Sequence, residues 1–244
     1  MQTNTPKIIT TSWDDGHPLD GKVAELLAKY GLKGTFYVPA SNSEHPVMSL
    51  PTLAELAKNF ELGGHTKNHV VLTQVSPDVA AREITGCREW LGDVLGSAPV
   101  CFCYPQGKLN SSIVGLVRSS GFHYARTVEF SRIDLKNMLL APTTAQVFNH
   151  TKLSFAKNLV KRANVRGVEL LFRVKGFETR LVDVVEYWLG RLQREGGIFH
   201  LWGHSWEIEQ HNLWNELEEV LRMLSHRDGY SYCTNGELLA YGKK

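Results

Sequence analysis

Two short clusters in this 244-residue chain hold side chains that do chemistry in combination. Asp14 and Asp15 stand together before Gly16, at the end of the apolar run from Ile8 to Trp13. In an α/β protein the loop beyond a strand's carboxyl end is where functional groups collect, and adjacent residues there point in different directions. One carboxylate of such a pair can hold a cation while its neighbour accepts a proton. His65 and His69, in H-T-K-N-H, follow another short strand-like run at spacing i, i+4. If that segment turns helically, both imidazoles lie on one face and converge on a single ion. Two imidazoles and one carboxylate with an open position form a catalytic metal arrangement, and the two clusters together point to it.

Groups so distant in sequence meet only on a framework of strands. Short apolar runs alternate here with amphipathic stretches, the signature of an α/β fold with a largely parallel sheet. Strands are expected at Ile8 to Trp13, Thr35 to Val38, Glu61 to Gly64, Val100 to Tyr104, Phe122 to Arg126, Leu139 to Thr143 and Ile198 to Trp202. Val23, Leu26, Leu27 and Tyr30 recur on one helical face that stops at Gly31. Ser49 caps a helix through Phe60, and Ser76-Pro77 starts one reaching Leu95, because serine caps free amides and proline suits the first turn. Further helices are expected over Ser111 to Ser119, Ser154 to Ala163, Arg180 to Arg194, and along Leu213, Leu217, Val220, Leu221 and Leu224. With no repeat or linker, residues 1–244 read as one domain.

The composition supports a packed α/β protein and excludes several classes. With 43% hydrophobic and 21% charged residues the chain can bury a large core, which rules out a disordered tail. Lys and Arg total 27 against 25 Asp and Glu, too even a balance for a nucleic-acid binder or a membrane-surface protein. No run approaches the roughly 20 apolar residues of a membrane span. Cys87, Cys101, Cys103 and Cys233 lack zinc-ribbon spacing and read as buried small side chains in a reducing compartment. The polar start, Met1 to Lys7, has no signal-peptide character, so a cytoplasmic protein is expected.

W-D-D-G at Trp13 to Gly16, H-T-K-N-H at His65 to His69, F-C-Y-P-Q-G at Phe102 to Gly107 and L-W-G-H at Leu201 to His204 stand in the order of the motifs of the polysaccharide deacetylases, the NodB-homology group, which this chain resembles over nearly its whole length. T-N-G-E-L at Thr234 to Leu238 is similar to that family's usual ending. The resemblance implies a distorted (β/α) barrel of about seven parallel strands and a metal-dependent amide hydrolase acting on N-acylated sugars. It implies Asp14 as general base, Asp15 with His65 and His69 as ligands of one divalent cation, and a late histidine as general acid. It also implies an oxyanion donor in the backbone amide of Gln106. Zinc leads among the metals, although the same ligands suit cobalt, nickel, manganese or iron.

Two positions depart from or leave open the family pattern. Where the third motif usually has an arginine orienting the catalytic aspartate, this chain has Cys103. Arg126, at the end of the next strand, can supply the guanidinium from another direction, the alternative being an exposed Arg126–Glu129 pair. His200, Trp202 and His204 share parity on the last strand; His204, past its apolar run, is favoured as the acid, with His200 as a supporting or substrate contact, the alternative being a core histidine. Tyr104, Trp202 and Trp206 join Gln106, Arg126 and His200 as candidate oxyanion or substrate contacts, the tryptophans as surfaces for a sugar face. His17, His45, His123, His150, His211 and His226 fit no site spacing.

The expected reaction removes an N-acetyl or N-formyl group from an amino sugar or a sugar-containing intermediate. The alternatives are an allantoinase-like hydrolase of small cyclic amides and a catalytically silent sugar-binding domain. Between Lys152 and Arg180 eight basic residues face two acidic ones, which suggests a substrate on a nucleotide or lipid-phosphate carrier.

Overall fold

In a parallel sheet buried on both sides, successive side chains differ by which buried face they enter, not by exposure. The computed structural model of the protein describes residues 5–151 and 178–242. In it, β1 (Lys7–Asp14) is buried from Ile8 onward. Ile9 and Trp13 face outward into an apolar layer with Val23 and Leu27 of α1 (Asp20–Lys29). Thr10 and Ser12 point the other way: Thr10 Oγ1 accepts a hydrogen bond from Asn235 Nδ2 at 2.8 Å, and Ser12 Oγ lies 2.8 Å from His200 Nε2. Asp14 continues that inward parity at the strand's carboxyl end.

The wall continues on both sides of β1. β2 (Thr35–Val38), β3 (Glu61–Gly64), β4 (Cys101–Cys103) and β5 (Tyr124–Arg126) follow in parallel on one edge. After β6 (Ala145–Gln146), a separate antiparallel pair is formed by β7 (His150–Thr151) and β8 (Glu178–Thr179). β9 (Gly197–Gly203) then runs parallel along the other edge of β1, from Lys7 opposite Gly197 to Trp13 opposite Gly203. β6 pairs with the far side of β9, and Ala141 bridges to Arg126, so the segment between Ala141 and Gln146 closes the curl. Among the described residues, seven parallel strands in the order β5-β4-β3-β2-β1-β9-β6 thus form a distorted (β/α) barrel, as the family resemblance implies. β10 (Ser231–Tyr232) adds to the amino-terminal half of β1 on the edge that β2 occupies further along.

Helices cover the outer face, and their starts follow the sequence. Ser49 Oγ accepts from Thr52 N before α2 (Leu50–Leu56), Ser76 Oγ from Val79 N before α3 (Pro77–Leu95), and Asn110 Oδ1 from Ile113 N before α4 (Ser111–Ser119). α5 (Leu181–Glu195), α6 (Ser205–Gln210) and α7 (Trp214–Leu224) complete the described helices. Among the described residues, no helix is long and apolar enough to cross a membrane.

Some expected boundaries move for identifiable reasons. The helix expected through Phe60 stops at Leu56, because the chain must reverse before β3 begins at Glu61. The strand expected at Leu139 to Thr143 is instead a tight turn over Met138–Leu140, fixed by the Asn137 side chain accepting from Leu139 N at 2.9 Å. Pro142 has no N–H for a ladder, and pairing resumes at Ala145. The helix expected over Ser154 to Ala163 lies outside the described residues.

Candidate active site

Asp14 ends β1, and the chain then reverses through two left-handed residues, Asp15 at φ 77° and Gly16 at φ 59°. A Cβ on Gly16 would lie 2.6 Å from Val38 Cγ1, so glycine is required there. The reversal sends the two neighbouring carboxylates to different partners. Asp15 Oδ1 lies 3.1 Å from His69 Nε2 and 3.5 Å from His65 Nε2. Asp14 Oδ2 meets the Arg126 guanidinium, with Cys103 Sγ at 3.6 Å and His204 Nε2 at 3.9 Å.

The histidines converge by a route other than the expected helical turn. Thr66 and His69 both have positive φ, 60° and 54°, and the intervening loop is tied down residue by residue. Thr66 Oγ1 accepts from Val70 N at 3.1 Å, while Glu83 of α3 accepts from both Asn68 N and Asn68 Nδ2. These bonds account for the Thr and the Asn of H-T-K-N-H. His65 Nδ1 lies 2.8 Å from the carbonyl of Cys103, which can only accept, so Nδ1 carries a proton and Nε2 is the ring nitrogen turned toward Asp15.

Arg126 is fully buried, and its Nη2 also approaches Cys103 Sγ at 2.8 Å. The alternative pairing with Glu129 is corrected: Arg132 holds Glu129 at 3.0 Å, while Arg126 turns inward to Asp14. Burial pushes the Asp14 carboxyl up, but Arg126, His65 and His204 outweigh it and hold the group below the usual carboxylate range. Burial likewise opposes ionisation of Asp15, and the adjacent imidazoles of His65 and His69 reverse the balance. His204 Nδ1 lies 3.2 Å from Glu207 Oε2, which also accepts from Gln146 Nε2 at 3.1 Å. Burial lowers the His204 imidazole, yet Glu207, Asp14 and Asp15 raise it above its ordinary value.

A cavity of about 400 Å³ opens over these groups. Tyr104, Gln106, Trp202 and Trp206 line it together with Asp14, Asp15, His65, His69 and His204. Tyr104 is committed elsewhere, its hydroxyl donating to the Leu139 carbonyl at 3.0 Å. Gln106 has φ 53° and is followed by Gly107, where a Cβ would collide with Val128 Cγ2 at 2.1 Å.

Two expected contacts need correction. His200 shares the inward parity but sits lower in the barrel, 1% exposed and bonded to Ser12, and it does not line the cavity. Burial and the nearby Arg126 push its imidazole down to about 3, so it is neutral packing within the barrel. Arg126 also reaches Asp14 from beneath and is absent from the cavity wall. Conversely, His45, set aside on spacing, stacks on Trp206 with ring centroids 4.1 Å apart. Glu207 was missed, although its i, i+3 spacing from His204 is a signal that could have found it; Glu83 and His45 carry no local signal.

The site suits a cation. Asp15 Oδ1 is buried without a hydrogen-bond donor, and it lies with ligand atoms of His65 and His69 within 4.8 Å of one another. A second grouping, Asp14, His65 and Cys103, competes for His65. Its other members face Arg126, and burial raises the Cys103 thiol well above its ordinary value, so the Asp15 set fits better.

The fold recurs among known proteins. No curated protein sequence matches the chain. Its fold is similar to that of a putative polysaccharide deacetylase from Mycobacterium smegmatis (TM-score 0.66, 13% identity, covering 100% of this chain and 92% of that one). It is also similar to the chitin deacetylase of the fungal pathogen Colletotrichum lindemuthianum (TM-score 0.61, 16% identity, 97% and 89% covered). The Streptococcus pyogenes deacetylase PplD aligns at 21% identity and TM-score 0.49 over 55% of this chain and 62% of its own, so this chain spans less than two thirds of that protein. The family profile described as polysaccharide deacetylase matches residues 1–125, slightly over half of the 244, including the segments that carry Asp14, Asp15, His65, His69 and Cys103. With that match, the chain belongs to the polysaccharide deacetylase family.

Proposed function

We propose that this protein is a zinc-dependent hydrolase that removes an N-acetyl or N-formyl group from an amino sugar or a sugar-containing intermediate. The observation that carries the reading is the convergence of Asp15 Oδ1 with the imidazoles of His65 and His69 beside Asp14 and His204, which stand 3.9 Å apart on the same cavity. Asp15, His65 and His69 would hold the ion. A bound divalent cation polarises an acyl carbonyl and acidifies water.

The chain's own groups supply the proton traffic. Asp14 is ionised, with Oδ2 held by Arg126 and Oδ1 without a hydrogen-bond partner, so Oδ1 is the atom that accepts a proton from the attacking water. His204, raised by Glu207 and the two aspartates, is the donor to the departing amine. The backbone amide of Gln106 lies in the loop that would bind the oxyanion. Arg126 does from β5 what the family's third-motif arginine does from β4, which leaves Cys103 as a small packing residue.

The test is reconstitution of chelator-stripped protein with zinc or cobalt, followed by measurement of amine release from N-acetyl and N-formyl amino sugars. The panel includes nucleotide- and lipid-phosphate-linked sugars, because the basic stretch from Lys152 to Arg180 suggests a charged carrier; Lys152 to Lys175 of that stretch lie outside the described residues. One bound metal with release from an acylated sugar is the expected result. Stoichiometric metal with release only from cyclic amides would favour the allantoinase-like reading, and metal without any turnover a silent binding domain. No metal binding would end the hydrolase reading.

A further inference from the structure

An indole has one N–H donor and no acceptor, so wherever a half-buried tryptophan directs that donor it spends a fixed resource. Trp206, in the first turn of α6, donates Nε1–H to Asp15 Oδ2 at 2.8 Å. The other oxygen of the same carboxylate, Oδ1, faces His65 and His69 and has no donor. The two oxygens of Asp15 are therefore assigned to different tasks. The indole is itself held in place: His45 stacks on it at 4.1 Å with the planes 20° apart, and His204 lies against it at 5.2 Å.

We infer that Trp206 is a positioning residue that confines Asp15 to single-oxygen ligation of the cation. The inference rests on the metal-dependent reading above and deepens it. A carboxylate with both oxygens available tends to chelate, which raises the coordination number by one and fills a position that water or the acyl oxygen needs. A donor fixed on Oδ2 prevents that rotation and leaves the coordination open. It also changes the role expected of Trp206, since the ring face covered by His45 is not free to stack on a sugar.

The experiment uses the full chain, stripped of metal and titrated with cobalt alone, and reads the visible d–d absorption. Trp206→Phe keeps an aromatic ring beside His45 and removes the N–H donor along with the indole's second ring. The variant is expected to bind one cobalt with a weaker, shifted absorption band, as a site of higher coordination number gives, and with affinity reduced about tenfold or more, the usual scale for loss of such a supporting bond. His45→Ala, which keeps the indole donor and loses only its stacking partner, should change the band shape less than Trp206→Phe does. A Trp206→Phe spectrum and affinity indistinguishable from wild type would overturn the inference while leaving the hydrolase reading intact. A wild-type chain that takes up no cobalt removes both.

Should Trp206→Phe fail to fold, the wild-type protein answers the same question. In zinc-loaded protein labelled with ¹⁵N-tryptophan, the Trp206 indole proton, identified by its through-space contact with His45, should exchange with water far more slowly than a free indole. Exchange at the free rate would overturn the inference.

Discussion

Arg126→Met removes the guanidinium beneath Asp14 and leaves an unbranched apolar chain in its place. Arg126 is 0% exposed and Asp14 3%, so solvent cannot replace the lost partner. Removing one member of a buried ion pair costs about 3–5 kcal/mol, because the remaining charge is left without compensation. That is a large part of the roughly 5–15 kcal/mol that holds a typical domain together. For a chain of this size it corresponds to a fall in Tm of about 6–20 °C. The loss should also depend on pH in a definite sense. In the wild type the folded-state carboxyl is held below its ordinary value, so its contribution is present above the unfolded value of about 4 and fades as pH falls through the folded one. In the variant, burial is opposed only by His65 and His204, so the folded-state carboxyl lies higher than in the wild type. The gap between the two proteins is therefore widest near pH 7 and narrows toward pH 4 and below. Urea unfolding followed by circular dichroism at several pH values measures it. In a double-mutant cycle, Asp14→Asn should recover part of the loss when combined with Arg126→Met. A gap smaller than about 1 kcal/mol at pH 7, or one constant down to pH 3.5, would show that Arg126 is not the counterion on which the site rests.

Further outcomes follow from the same geometry. Asp14→Asn should retain stoichiometric metal yet lose about 10²- to 10⁴-fold in turnover, the range for a positioned acid or base; full activity would refute its role. Glu207→Gln removes the largest influence raising His204, so the basic limb of the kcat/KM profile should move to lower pH, whereas His200→Gln should leave that limb in place. A limb that responds to His200→Gln instead would exchange the two roles. Asp20 is fully buried, and burial raises its carboxyl well above the ordinary value. Its contribution is present below about pH 4 and is lost as pH rises toward the folded value, so Asp20→Asn should become more stable relative to wild type between pH 4 and 7. Parallel stability curves for the two proteins would contradict that account.

The strands and helices were readable because their signals are local, while the barrel they build was implied by the family resemblance. Ser49, Ser76 and Asn110 cap helices within three residues of themselves, and the apolar runs at Thr35 and Glu61 mark strands directly. Asp14, Asp15, His65 and His69 were readable as a metal-type set, yet the means of their convergence was not. It rests on positive φ at Asp15, Thr66 and His69, which local propensity disfavours and distant bonds such as Asn68 to Glu83 enforce. Parity alone placed His200 and His204 on one face, but it says nothing about height within the barrel, and that height separates a neutral packing residue from a cavity-lining one. His45 reaches Trp206 through a loop whose course no periodicity describes.

The last residues of the chain complete the first strand, and this has a consequence for synthesis. β1 gains its second neighbour only when β9, Gly197–Gly203, is available, and the Asn235 side chain reaches back to Thr10 across 225 positions. Asn235 also accepts from Tyr37 Oη, while Glu61 accepts from Gly236 N, so T-N-G-E-L seals the lower end of the barrel against β1, β2 and β3. At about 5–20 residues per second, roughly ten to forty seconds separate translation of the Asp14 segment from that of its seal. Throughout that interval one edge of β1 carries unpaired backbone donors and acceptors, a template for adventitious strand pairing. A nascent chain ending before Gly197 would hold both aspartates and both histidines and still lack the wall that turns them into a site, which makes the newborn protein dependent on whatever shields that edge until its final motif emerges.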